Sequence, residues 1–207
     1  MPKYFINLDC SGDRRSHFDK SWTRWKARGR KEVSSEIDKK MSSYWNIERN
    51  NHLGKCGCFV SHIELLNHIV ENKLDEVIIC EDDAEQISEI PNLGDTFVYL
   101  GGFFMSKKRT DGNYKQEVIS EEGINTLKDK PFDIFMTMSY YIGKWEVAKE
   151  LRDWILSQKR YKAIDVMYAN SPIDKYYYYP AIFKERNIQS TIRKQKRKSP
   201  NEYYKFD

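Results

Sequence analysis

Phe59-Val60-Ser61-His62-Ile63-Glu64-Leu65-Leu66-Asn67-His68-Ile69-Val70 is followed, after Leu74-Asp75, by Glu76-Val77-Ile78-Ile79-Cys80-Glu81-Asp82-Asp83. In the first segment Phe59, Val60, Ile63, Leu66, Ile69 and Val70 mark one face of a helix, with polar residues between them. The second is a short apolar run that predicts a buried strand over 76–80, running straight into three acids.

The same alternation extends in both directions. Residues 3–8 are aromatic and β-branched and predict a strand ending at Asp9, with turn chemistry at Cys10-Ser11-Gly12-Asp13. Phe18, Trp22 and Trp25 are spaced by four and three, which predicts a helix ended by Gly29. Residues 30–52 are polar and weakly patterned, as in a loop. Downstream, Phe97-Val98-Tyr99-Leu100 predicts a strand ending at Gly101-Gly102, and residues 105–123 a charged loop or hairpin. A long apolar strand is expected over Ile134–Ile142, then a helix with Trp145, Ala148, Leu151 and Ile155 on one face. Strands alternating with helices argue for a single α/β domain around a mostly parallel central sheet.

Composition narrows the class. At 207 residues the chain suits one domain, and 10 Phe, 14 Tyr and 5 Trp argue against disorder. No apolar run approaches the ~18–20 residues of a transmembrane helix. The N-terminus lacks an apolar signal core, so a cytoplasmic protein is expected. Cys10, Cys56, Cys58 and Cys80 form no Cys-x-x-Cys pair and have no clustered His partners. Reduced thiols are therefore expected rather than zinc or disulfides. A net charge of +4 is too mild to imply nucleic acid.

Three segments carry chemistry. Ligands of open α/β sheets bind beyond the carboxyl ends of strands, where Glu81-Asp82-Asp83 is expected. Adjacent carboxylates there raise one another's pKa. A divalent cation removes the conflict, and all-oxygen ligands suit Mg²⁺ or Mn²⁺. A solvated acidic turn is the alternative. Gly54-Lys55-Cys56-Gly57-Cys58, at the expected start of the amphipathic helix, could receive a phosphate on its N–H groups with Lys55 adding charge. Glycines for tight packing are the alternative, and His62 reads equally as a packed histidine or a ligand. Ile6-Asn7-Leu8-Asp9 followed by Arg14-Arg15 fits a base or ribose site beside a phosphate, or else a surface turn with a basic pair.

In this order, Ile-Asn-Leu-Asp…Arg-Arg, Gly-x-x-Gly-Cys-x-x-Ser-His and an apolar strand into Glu-Asp-Asp-Ala resemble glycosyltransferase family 25. That family includes lipopolysaccharide and collagen hydroxylysine galactosyltransferases. Looser similarities follow at Tyr99-Leu100-Gly101-Gly102, Met138–Ile142, Ile164-Asp165, Tyr179-Pro180 and Gln189–Ile192. The resemblance implies a GT-A-type nucleotide-sugar domain over residues 1–192, and the charge run Arg193–Lys198 marks 193–207 as a basic tail. It implies inverting transfer of a hexose, glucose or galactose, from a UDP-sugar to a glycan or protein hydroxyl, with Mn²⁺ or Mg²⁺ as cofactor. Asp83 would bind the cation directly, and Glu81 the ribose or the metal's water shell, with Asp82 beside them at the donor. Asn7 and Asp9 would line the nucleotide pocket, with Arg14 or Lys55 near the phosphates. Asp165 would be the catalytic base, with Asp133 its rival. The last histidine in the chain is His68, so no later histidine can complete the metal site. The Tyr176–Tyr179 run would stack on sugars or form an aromatic sheet edge. Competing readings are a metal-dependent nuclease or nucleic-acid binder, a catalytically inactive nucleotide-sugar binder, and a methyltransferase. The last lacks its glycine-rich first loop, since residues 9–15 hold only Gly12.

Overall fold

In the computed structural model, which describes residues 1–42, 49–107, 121–186 and 188, the apolar run at 77–81 lies inside a seven-stranded sheet. The strands are β1 (Lys3–Asn7), β2 (Thr23–Lys26), β3 (Val77–Glu81), β4 (Ala84–Gln86), β5 (Phe97–Tyr99), β6 (Phe103–Ser106), β7 (Gly123–Thr126), β8 (Phe132–Phe135), β9 (Ser139–Ile142), β10 (Lys175–Tyr179) and β11 (Phe183–Glu185). The helices are α1 (Ser35–Ser42), α2 (Arg49–Glu71), α3 (Trp145–Ser157) and α4 (Ile164–Asn170). The main sheet has the order β2-β1-β3-β9-β5-β10-β7. Parallel pairing joins β1 to β2 and β3, and β5 to β10; β9 and β7 run against their neighbours. Five strands therefore point one way, and the domain is α/β with a mostly parallel sheet. Two small ribbons, β4–β11 and β6–β8, flank it.

Side-chain alternation explains why the sheet is covered on both faces. Val77 and Ile79 of β3, with Phe97, Tyr99, Tyr140 and Ile142, face a core built with Phe59, Leu65, Leu66 and Ile69 of α2 and Leu151 and Ile155 of α3. Ile78, Cys80, Val98, Leu100 and Tyr141 face the opposite way, against Leu93, Ile182 and Phe183. All four apolar residues of β3 are fully buried, which is why this stretch reads as a continuous apolar run.

The structure corrects four sequence expectations. Residues 18–26 are not a helix: Gly12–His17 is a 3-10 helix and Thr23–Lys26 is the strand β2. Phe18 stacks on Phe5 at 4.3 Å and Trp22 meets Phe183 edge-on, whereas Trp25 meets Tyr4 in the other core, so the spacing was shared between two faces of the sheet. Among the described residues of 30–52, Arg30–Glu32, α1 and the first turn of α2 are helical rather than loop. Because α2 begins at Arg49, Gly54 and Gly57 lie within the helix, where N–H groups serve the helical ladder rather than a phosphate. Finally, Ile134–Ile142 is two strands, broken at Met136, which has a positive φ of 76°. The expected basic tail at 193–207, Gln189–Ile192 and most of the 105–123 loop lie outside the described residues. No described helix is long and apolar enough to cross a membrane.

Candidate functional site

The carboxyl ends of β1 and β3 lie side by side, with Ile6 paired to Glu81, so the residues that follow them meet. Asn7 is fully buried and acts as a hub. Its Nδ2 donates to Ser11 O at 2.9 Å and to Asp82 Oδ2 at 2.8 Å, while its Oδ1 accepts from Arg15 Nε and Arg24 Nε. Arg14 donates to Asp82 Oδ1 at 2.7 Å. Burial raises the Asp82 pKa, and the Arg14 and Asn7 bonds oppose that shift. Asp9, by contrast, is exposed and holds Arg24 and Lys26, whose hydrogen bonds lower its pKa. Asn7, Arg14 and Asp82 thus form a buried clamp, and Asp9 sits on a basic rim.

Glu81 closes β3 beside the Met136–Met138 break. Thr137 donates to Glu81 Oε1 at 2.5 Å, and the Glu81 N–H donates to Met138 O at 2.8 Å. From α2, the fully buried His62 brings Nε2 to 3.4 Å of Glu81 Oε1 without hydrogen-bond geometry. Its Nδ1 is 2.8 Å from Tyr140 Oη, which is 3.1 Å from Tyr168 Oη. Asp83 has a buried Oδ1 with no hydrogen-bond partner. Desolvation raises its pKa well above the usual carboxylate range, and the charges of Glu81, Glu185 and Asp82 add to the shift. Glu185 is brought there because β11 pairs with β4, with Glu185 opposite Ala84.

Asp165 sits in the first turn of α4 and accepts from the Val166 N–H at 2.8 Å. Burial raises its pKa, as does the charge of Glu81; the N–H groups of Val166 and Met136 and the charge of Lys55 lower it. The fold therefore brings Asp165, Lys55 and Glu81 into one electrostatic neighbourhood. Asp133, on β8, acts electrostatically on Tyr99 and Lys175. The tyrosine run forms β10, with Tyr177 buried.

A cavity of about 340 Å³ opens between these strand ends and α2. Ile6, Leu8 and Ala27 give it an apolar side, Arg28–Lys31 a basic one, and Glu81 and Asp82 an acidic one. Gly57 lets α2 approach Arg28 of its wall closely, since a Cβ there would lie 2.4 Å from Arg28 O. Ser61 secures the same contact: its Oγ donates to Gly57 O at 2.7 Å and accepts from the Arg28 N–H at 2.8 Å. Glycine and serine at these positions hold α2 against the chain leaving β2.

Among the described residues, two groups could hold a metal: Asp38, His52 and Cys56, and Cys58, His62 and Glu81. Both corrects the expectation that the cysteines lack clustered His partners, because His52–Cys56 and Cys58–His62 are each four residues apart on α2 and share a helix face. Thr137 escaped the sequence reading, and Tyr140 entered it only within the Met138–Ile142 similarity, because both lay in what looked like one uninterrupted apolar strand.

No curated protein matches the chain. Residues 1–168, which span the clamp, the acid motif, the cavity and Asp165, match the profile of glycosyltransferase family 25 (LPS biosynthesis protein). With a match over most of its length, and with those motifs brought to one site, this chain belongs to glycosyltransferase family 25 and is a glycosyltransferase.

Proposed function

We propose that the protein transfers a hexose, glucose or galactose, from a UDP-sugar to a hydroxyl of a glycan or protein acceptor, with inversion and with a divalent cation at Glu81 and Asp83. The observation that carries this reading is Asp83 Oδ1, a buried carboxylate oxygen with no partner, among Glu81, Asp82 and Glu185. Native proteins rarely leave such an atom unsatisfied, and a hard cation is the partner that oxygen donors suit. When bound, Mn²⁺ or Mg²⁺ would neutralise charge on the departing diphosphate.

The chain's own residues account for the rest. The apolar side of the cavity, Ile6, Leu8 and Ala27, would receive the base, and the basic residues at 28–31 would face the diphosphate. Asn7, Arg14 and Asp82 would hold the floor of that subsite rigid, with Asp9 and Lys55 at its margins. Asp165 would accept the proton from the acceptor hydroxyl; burial raises its pKa toward the range in which a carboxylate is an effective base. Four free thiols suit a reducing, cytoplasmic setting.

Calorimetric titration of UDP, UDP-glucose and UDP-galactose, each with Mn²⁺ and again with EDTA, tests the reading. Binding that requires the cation supports it, and the stronger sugar nucleotide names the donor. Absence of binding under both conditions removes it.

A further inference from the structure

Cys58 and His62 stand one turn apart on the same face of α2, and β3 delivers Glu81 to that face. Their ligand atoms all lie within 4.8 Å of one another, and all three residues line the 340 Å³ cavity. His62 is fully buried, and its Nε2 has no hydrogen-bond partner. That nitrogen lies 3.4 Å from Glu81 Oε1, a separation that two ligands of one cation keep.

The other ring nitrogen explains the arrangement. In the tautomer in which Nδ1 donates its proton to Tyr140 Oη, 2.8 Å away, Nε2 carries a lone pair 3.4 Å from a carboxylate oxygen. A cation held between them makes that contact favourable and satisfies both groups at once. Metal-binding histidines characteristically donate their second N–H to a fixed acceptor, and here Tyr140 is itself bonded to Tyr168. Thr137 fixes the carboxylate in the same way, through its 2.5 Å bond to Glu81 Oε1.

We infer that Cys58 Sγ, His62 Nε2 and the Glu81 carboxylate form a three-ligand site for a zinc-class divalent cation. Sulfur and nitrogen donors select a borderline metal such as Zn²⁺ or Co²⁺ over Mg²⁺. Three protein ligands leave a fourth position open, and because all three residues line the cavity, an oxygen of a molecule bound there can complete the tetrahedron. Asp83 is not one of the ligands. The inference therefore stands apart from the Asp83 cation proposed for the donor, although both use Glu81.

The test is to strip the purified chain with a chelator and titrate it with Co²⁺, reading thiolate-to-cobalt charge transfer in the near ultraviolet, then to measure retained zinc after dialysis. The expected result is a thiolate band saturating near one equivalent. Cys58→Ser abolishes the band, and His62→Gln weakens cobalt binding about 10-fold or more. Cys58 is only partly buried, so its serine variant remains informative if the buried His62→Gln variant fails to fold. Cys56→Ser and Asp83→Asn keep the band. Absence of a band in the parent chain overturns the inference. So does a band that survives Cys58→Ser, or one lost in Cys56→Ser, which would move the metal to Asp38, His52 and Cys56. Loss in Asp83→Asn also overturns it, in favour of one cation shared with the donor. Manganese-dependent UDP binding is scored separately, so the donor reading can fail while the cobalt result stands.

Discussion

Removing the Asp82 carboxylate should unfasten the ends of β1 and β3. Arg14 and Asp82 meet at 2.7 Å with side chains 10% and 12% exposed, so water cannot replace the lost partner cheaply. Truncating one member of a buried ion pair costs about 3–5 kcal/mol, because the other charge stays buried. Asn7 Nδ2 keeps its bond to Ser11 O, which argues for the lower end of that range. At roughly 2–4 °C per kcal/mol for a chain of this size, Asp82→Ala should lower Tm by about 6–12 °C. Urea denaturation of Asp82→Ala, Arg14→Met and the double variant isolates the pair. The double variant should be less destabilised than the sum of the singles, with a coupling of about 1–3 kcal/mol. A single-variant cost below about 1 kcal/mol, or strict additivity, would refute the assignment of Asp82 to a buried clamp.

Gly57→Ala should destabilise the protein by about 1–3 kcal/mol: the new Cβ meets a backbone carbonyl at 2.4 Å, which outweighs the ~1 kcal/mol that alanine gains in a helix. Equal or greater stability in thermal unfolding would show that α2 does not pack on Arg28 as described. The pKa values of Asp82, Asp83 and Asp165 are raised on folding, so the folded state holds their protons more tightly than the unfolded state. Their stabilising contribution is present below the unfolded carboxylate pKa and lost as pH rises through the folded values. Unfolding free energy in EDTA should therefore rise as pH is lowered from neutral toward the unfolded carboxylate pKa, with a flatter profile in Asp83→Asn; a flat parental profile, or one the variant leaves unaltered, contradicts this. Asp165→Asn should lower turnover about 10²–10⁴-fold while donor affinity holds, and the reverse pattern would place the base elsewhere.

The sequence disclosed those elements whose burial is complete and uniform. In β3 both faces are covered, so every residue is apolar until the acids begin, and the strand and its motif could be read together. The first turn of α2, ahead of Gly54, was hidden because it is polar: His52 there is held by Asp38 and leaves no apolar stripe. The break at Met136–Met138 was hidden for the opposite reason: two methionines continue the apolar run across a turn whose positive φ only coordinates reveal. That turn brings Thr137 to Glu81 and a backbone N–H to Asp165, so a misread strand concealed part of the site. Asn7 was recognisable as a polar residue at a strand end, but its role as a hub depends on residues as distant as Arg24 and Asp82. The His62 environment is likewise a product of α2, β3 and β9 meeting.

The most direct test of the whole account is the rate at which the parent chain and Asp83→Asn release UDP from UDP-glucose and UDP-galactose in the presence of an acceptor hydroxyl, with Mn²⁺ and with EDTA. The account predicts cation-dependent release by the parent chain, and none above background by a variant whose circular dichroism and melting show it folded. Release by Asp83→Asn at the parental rate, with the same cation requirement, would contradict it.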